Sequence, residues 1–315
     1  MRQGSIKWWA QWHRAHHRYV DTGLDPYNAR RGLFYSHLGW TIFRRDERDW
    51  DVDISDLEND PVVVWQDRYY YPLSLLACFG LPTMIPWLGW ADWRGGLYFA
   101  GLCRMVVAYH STFAVNSFAH WSGSQPFSRT TTARDNFIVG LIALGEGYHN
   151  FHHEFPTDYR NGVRWYDLDV SKWVILLLEQ LQLATNLHKV SDDVIDSCRR
   201  QYRQEKQLPP ADTFSADHGE VPPIEWDEYV QQAESGRALV AVAGFVYDVS
   251  NFVDRHPGGE KILKTAMGRD ATAMFHGGGH NHSLAASNIL STMLVYVIRG
   301  GGRVELLNKK EKQSQ

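Results

Sequence analysis

The run from Tyr69 to Ala91 contains no charged residue. Its apolar side chains include Leu73, Leu75, Leu76, Phe79, Leu81, Ile85 and Leu88, with Tyr69, Tyr70 and Tyr71 at one end and Trp87 and Trp90 at the other. Roughly 20 apolar residues span a bilayer core, and tyrosine and tryptophan gather at membrane–water interfaces. The segment is therefore expected to cross a membrane as a helix, kinked at Pro82 and Pro86. A second apolar run, Gly95 to Phe118, is broken by Arg104 and is expected to return. The connecting Ala91-Asp92-Trp93-Arg94 is too short for a domain, so spans at 69–91 and 95–118 would form a hairpin. A buried hairpin in a large soluble protein is the plainer alternative, and the aromatic flanks argue against it.

A hairpin brings the chain back to the side it left. Beyond it, Phe137 to Leu144 is too short to cross. Trp173 to Leu183 carries Glu179 and reads as an amphipathic surface helix. The segment before the hairpin holds Arg14, Arg18, Arg30, Arg31, Arg44, Arg45 and Arg48, whereas the opposite loop holds only Arg94. Positive charge favours the cytosolic side, which places the larger face there. Met1 to Arg18 lacks the apolar core and cleavage site of a secretory signal. Cys78, Cys103 and Cys198 are widely spaced and odd in number, which fits a reducing compartment better than a disulfide framework or a zinc ribbon. A net charge of -4 gives no reason to expect nucleic acid.

On that face lie seven histidines in three groups: His13, His16 and His17; His120; and His149, His152 and His153. Both triplets have the spacing i, i+3, i+4, which keeps three imidazoles near one side of a helix. Two such triplets facing each other can hold two metal ions close together. All-nitrogen ligands without thiolates allow iron, zinc, copper or nickel. No Glu follows the first histidine of either triplet, unlike the zinc-protease pattern His-Glu-x-x-His. Glu146 and Glu154 flank the third group and are candidates to orient imidazoles. Asn116 is either an outer ligand through water or a helix cap. His37, His110 and His188 read as packing residues.

His13-Arg14-Ala15-His16-His17-Arg18-Tyr19, Asp25-Pro26-Tyr27-Asn28, Ser36-His37-Leu38-Gly39-Trp40, Asn116-Ser117-Phe118-Ala119-His120 and Gly145-Glu146-Gly147-Tyr148-His149-Asn150-Phe151-His152-His153 together resemble a membrane acyl-CoA delta-9 desaturase. The resemblance implies two iron ions that activate O2 and remove two hydrogens from C9 and C10 of palmitoyl- or stearoyl-CoA. It implies iron ligation by His13, His16, His17, His120, His149, His152 and His153, with Asn116 acting through water. It places Arg30 and Arg31 near the CoA head group, where paired guanidiniums suit phosphate; a turn facing solvent or lipid headgroups is the alternative for that pair. It also implies the endoplasmic reticulum membrane as location. The family's ligand set has nine histidines, the first two in an upstream His-x4-His box with its own hairpin. That box is expected to be missing from this chain. The family's Arg-Asp before the second box is here Gln11-Trp12.

Further along, Val190 to Pro223 turns polar and reads as a helix followed by a linker, with Pro209-Pro210 and Pro222-Pro223. Leu239 to Val249 alternates like strands around a turn at Gly244, and His256-Pro257-Gly258-Gly259 precedes a helix from Glu260 to Met267. This region resembles a cytochrome b5 haem-binding domain, and its position at the C-terminal end is similar to the fungal form of the desaturase. The resemblance implies haem b held by His256 and by His282, with His280 as the alternative second ligand and His276 at the surface. Such a haem passes electrons and does not bind O2. NADH-cytochrome b5 reductase is the implied electron source.

The fold expected is thus a mainly α membrane protein, a helical transmembrane hairpin with a cytosolic helical di-iron domain, followed by a small α+β cytochrome b5-like domain. The boundaries are 1–190, a linker 191–223, 224–300 and a polar tail 301–315. A desaturase remnant acting only as a membrane-tethered electron carrier is the alternative. A membrane di-iron hydroxylase or a front-end desaturase is a further one; His149 and the C-terminal haem region count against the latter.

Overall fold

Ser5 starts the first helix, α1 (Ile6–Tyr19), by accepting a hydrogen bond from Trp8 N at 3.2 Å. In this computed structural model residues 4–43, 50–205, 221–276 and 282–299 are described. Arg44, Arg45, Arg48, Pro209, Pro210, His280 and the tail from 301 lie outside them. The chain divides into two compact units, Met1–Lys189 and Val190–Gln315.

In the first unit, α1 presents three faces. Trp12 and Ala15 enter a core with Tyr27, Tyr35, Trp40, Trp50 and Phe113. Trp12 meets Trp50 edge-on at 5.1 Å and Trp40 at 5.8 Å, a geometry that suits ring quadrupoles. Along a second face Lys7, Arg14 and Arg18 pair with Glu58, Asp56 and Asp51. Each exposed pair is worth under about 1 kcal/mol, but together they fix α1 against the segment ending in α2 (Pro61–Arg68). Two of the arginines counted towards membrane orientation are thereby paired. The third face carries the histidines.

Among the described residues one helix, α3 (Tyr70–Trp90), is long and apolar enough to cross a membrane, and almost none of it is buried. It ends at Ala91 in the left-handed region (φ 59), after which Asp92 Oδ1 accepts from Gly95 N at 2.7 Å. The helical segments Trp93–Gly95, Gly96–Cys103 and α4 (Arg104–Trp121) follow and pack back on α3. Gly96 permits the approach: a Cβ there would stand 2.8 Å from the Pro82 carbonyl oxygen. The expected return span at 95–118 is therefore helical, but it is not apolar enough to qualify by itself. Arg104, the run His110-Ser111-Thr112 and Asn116-Ser117 dilute it. The expectation of two crossings is met by one such helix.

Three shorter helices follow in this unit. They are α5 (Phe137–Ile142), α6 (His149–Glu154) and α7 (Val170–Gln180). Phe137, Ile138 and Leu144 on one side, and Leu177, Leu181 and Leu183 on another, remain exposed.

The second unit opens with α8 (Asp192–Glu205). β1 (Pro223–Ile224) and α9 (Trp226–Glu234) lead to β2 (Leu239–Val242) and β3 (Phe245–Asp248). Ala243 and Gly244 both have positive φ, 51 and 83, the two-residue turn that matches strand twist. α10 (Glu260–Ala266), α11 (Thr272–His276), α12 (Leu284–Ser291) and β4 (Leu294–Ile298) follow. The sheet order is β1-β4-β3-β2, with β1 and β4 parallel and the other pairs antiparallel. The architecture is mostly helical with a small α+β unit at the C-terminal end.

Candidate metal centre

Helices α1, α4 and α6 bring the seven predicted histidines into two groups. His16, His120, His149 and His153 form one; His13, His17 and His152 form the other. Each triplet is divided two and one. At about 100° per residue, positions i and i+4 lie about 40° apart and i+3 lies on the far side of i. Hence His13 and His17 stay together while His16 turns to the other group. In α6 the pair is His149 and His153, and His152 crosses over.

Every ring points its Nε2 inward. In the three-histidine group the Nε2 separations are 3.1 Å (His13–His152), 3.1 Å (His13–His17) and 3.0 Å (His17–His152). In the four-histidine group they are 3.2 Å (His16–His153), 2.9 Å (His120–His149) and 3.0 Å (His149–His153). A closed triangle of ring nitrogens cannot be satisfied by its own N–H groups, since each neutral imidazole carries one proton. Imidazole nitrogens about 2.1 Å from one cation at right angles stand about 3 Å apart. The donor set therefore fits two metal ions.

Local sequence fixes α6 tightly. Asp135 Oδ1 caps it, accepting from Asn150 N at 2.9 Å and Phe151 N at 3.3 Å. The buried Asn150 side chain accepts from Phe127 N and donates to Ser128 O and Ala133 O. In the preceding turn a Cβ on Gly147 would fall 2.1 Å from Gly140 N, so only glycine fits.

Behind the four-histidine group stand two carboxylates that sequence reasoning did not single out. His16 Nδ1 donates to Asp25 Oδ1 at 2.8 Å, both groups being buried. Thr132 Oγ1 donates to Asp21 Oδ1 at 2.6 Å, so it accepts from His120 Nδ1 at 2.8 Å. Asp21 N in turn donates to Asp25 Oδ2 at 2.9 Å. Both links hold the proton on Nδ1 and leave the Nε2 lone pair facing inward. His13 instead stacks on Trp9, ring centroids 4.6 Å apart. Among the described residues no carboxylate reaches His13, His17 or His152.

Burial, then the charge of neighbouring imidazoles, holds His13, His17, His149 and His153 well below the usual histidine range. Burial and the His16 charge bring His152 down to about 4. The rings are thus neutral and ligand-ready near neutral pH. Burial pushes the Asp25 carboxyl up, but the His16 charge and hydrogen bonds outweigh it and hold Asp25 below the usual carboxylate range.

Other predicted residues fall elsewhere. Asn116 lies inside α4, one turn before His120, and caps no helix end. Glu146 accepts from Asn161 Nδ2 at 3.1 Å, with its carboxyl pushed up by burial and by Asp169, so it orients no imidazole. Glu154 is buried at the end of α6. Arg30 and Arg31 lie in an exposed helical turn, with the Arg31 guanidinium 3.8 Å over the Tyr35 ring. His37 bonds His110 and Ser117, both at 2.9 Å.

In the second unit His256 and His282 have ring centroids 6.2 Å apart. Their Nδ1 atoms bond the carbonyls of Gly259 (3.2 Å) and Phe275 (3.0 Å). Two imidazoles sharing one ion about 2 Å from each nitrogen would place their centroids roughly 6 Å apart. A Cβ on Gly258 would meet His256 Cε1 at 2.9 Å. His276 is exposed, and His280 lies outside the described residues.

Comparison with known proteins gives two matches along the chain. The family described as "Fatty acid desaturase" matches residues 2–175, and "Cytochrome b5-like Heme/Steroid binding domain" matches residues 225–299. A probable acyl-CoA desaturase of Schizosaccharomyces pombe is 44% identical over 311 residues, 96% of this chain and 64% of that protein. Acyl-CoA desaturase 1 of Saccharomyces cerevisiae is 43% identical over 300 residues, 94% of this chain and 59% of that protein. Stearoyl-CoA desaturase of Homo sapiens is 40% identical over 199 residues, 61% and 55% of the two. The chain thus spans about three fifths of the length of these fungal relatives.

Proposed function

The chain belongs to the fatty acid desaturase family and continues into a cytochrome b5-like domain, and on that premise we propose that it is an acyl-CoA delta-9 desaturase. Saturated acyl-CoA, O2, two electrons and two protons would give the cis-9 acyl-CoA and two waters. Palmitoyl- and stearoyl-CoA are the substrates in this reading, and the names of the relatives support the class. Iron held by His16, His120, His149 and His153, and by His13, His17 and His152, would supply the O2-dependent oxidation of the acyl chain. Asn116 is the outer ligand through water, and Arg30 and Arg31 meet the CoA phosphates.

The protein's own groups do the orienting. Asp25 and Thr132 keep protons on the Nδ1 atoms of His16 and His120, so those rings present lone pairs. Burial keeps the remaining imidazoles neutral. In the second unit His256 and His282 would hold haem b, with electrons entering from NADH-cytochrome b5 reductase. The exposed apolar surface of α3, with the helical run after it, would form a membrane hairpin of the endoplasmic reticulum, the histidine and haem regions facing the cytosol. A monomer rarely leaves so large an apolar patch in water.

One observation carries the reading: seven Nε2 atoms converge as two adjacent groups on the family's own histidine motifs. Expression in a strain that requires unsaturated fatty acids tests it. The expected result is growth with cis-9 acyl chains in the lipids, lost in His120→Ala. Continued dependence on added unsaturated fatty acid, with folded and haem-loaded protein present, would overturn it and leave the electron-carrier alternative.

A further inference from the structure

Helix α8 lies between the two matched regions, where the sequence suggested a helix leading into a linker. It is a polar helix with one apolar stripe, Val194, Ile195, Cys198 and Tyr202, spaced at helical intervals. A helix of this length is marginal alone in water, so the stripe needs a partner. That partner is α12: the two helices pack together, and Gln201 Oε1 accepts from Asn288 Nδ2 at 2.8 Å. Ile195 is 1% exposed and Cys198 is fully buried. Both helices belong to the second unit.

The far side of α12 is equally occupied. Leu290 packs with Ala266 and Met293 against the sheet. So α12 is held between the sheet and α8. Its first residue follows Ser283, whose Oγ caps the helix by accepting from Ala286 N at 3.2 Å. His282 immediately precedes that cap. Its ring stacks on Phe275 at 4.3 Å, and its backbone N and Nδ1 both donate to Phe275 O. The imidazole is thus fixed between Phe275 and the start of α12, so the placement of that helix bears on it.

We infer that α8 is a clamp on the haem domain, which holds α12 and thereby sets His282 for haem retention. Ile195, Cys198 and Gln201 are positioning residues in this role. The inference rests on the reading of His256 and His282 as the haem ligands, and it adds a structural element outside residues 225–299.

Haem transfer from the full chain to excess apomyoglobin tests it. Ile195→Asp places a charge on the buried stripe of α8. It should release haem about tenfold faster, the scale of a modest coupling between two sites, while keeping the low-spin spectrum of two histidine ligands. Arg200→Glu, on the exposed side of α8, should release haem at the wild-type rate. Linkage is reciprocal, so haem loading of the unmutated chain should slow amide exchange in α8. That arm decides the matter where Ile195→Asp fails to fold. Unchanged release from folded Ile195→Asp, or identical α8 exchange with and without haem, would overturn the clamp. A wild-type chain that takes up no haem, or a His282→Ala chain with an unaltered low-spin spectrum, would instead overturn the ligand reading beneath it.

Discussion

The four-histidine group and the three-histidine group use the same atoms at the same spacing, yet their surroundings differ. His16, His120 and His149 are buried, and hydrogen bonds from His16 and His120 lead to Asp25 and, through Thr132, to Asp21. His13, His17 and His152 are half-buried, with Trp9 stacked on His13 in place of a carboxylate. A hydrogen-bonded carboxylate raises the basicity of an imidazole ligand and fixes its orientation. The four-histidine group should therefore hold the more tightly bound and more rigidly ligated ion.

Removing a ligand separates the groups most strongly. His149→Ala should lower bound iron from about two per chain to about one, whereas His152→Ala should release the other ion; elemental analysis of purified protein reads both. The carboxylates should act on one group alone. Asp25→Asn should weaken the four-histidine ion by about 10–100-fold and leave the other unchanged, as read by competition with a chelator. Thr132→Val should do the same more weakly, near the lower end of that range, because it breaks a neutral link and leaves Asp25 in place. Equal loss from both groups in Asp25→Asn would remove the asymmetry.

A further effect is on acid stability. His152 titrates near 4 in the folded chain and near 6.5 when unfolded. Between those values the unfolded state binds more protons, so stability rises with pH. Metal-free protein should keep this contribution to stability above about pH 6.5 and lose it as pH falls toward 4. His152→Gln should flatten that slope in thermal melts; an unchanged slope would contradict the assignment.

Much of this was legible in the sequence, for identifiable reasons. Helical spacing alone puts His13 and His17 together, and Ala243-Gly244 between alternating apolar residues gives the β-hairpin turn. Trp9 stands four residues before His13, a spacing that could have revealed the stacking. What lies behind the rings could not be read this way. Asp25 reaches His16 only after the chain has left α1, and Thr132 reaches Asp21 across a long separation in sequence. Glu146 flanks His149 closely but turns to Asn161, because neighbours in a tight glycine-rich turn point apart. The return span is helical as expected, but Arg104, His110-Ser111-Thr112 and Asn116-Ser117 leave it less apolar than the first.

The most direct test of two unequal sites is an anaerobic ferrous titration of the metal-free chain, followed by Mössbauer spectroscopy at each step. The account predicts two irons per chain. The first should fill a site perturbed by Asp25→Asn, the second a site perturbed by His152→Ala. A single iron per chain, or two that fill together and respond alike to both substitutions, would contradict it.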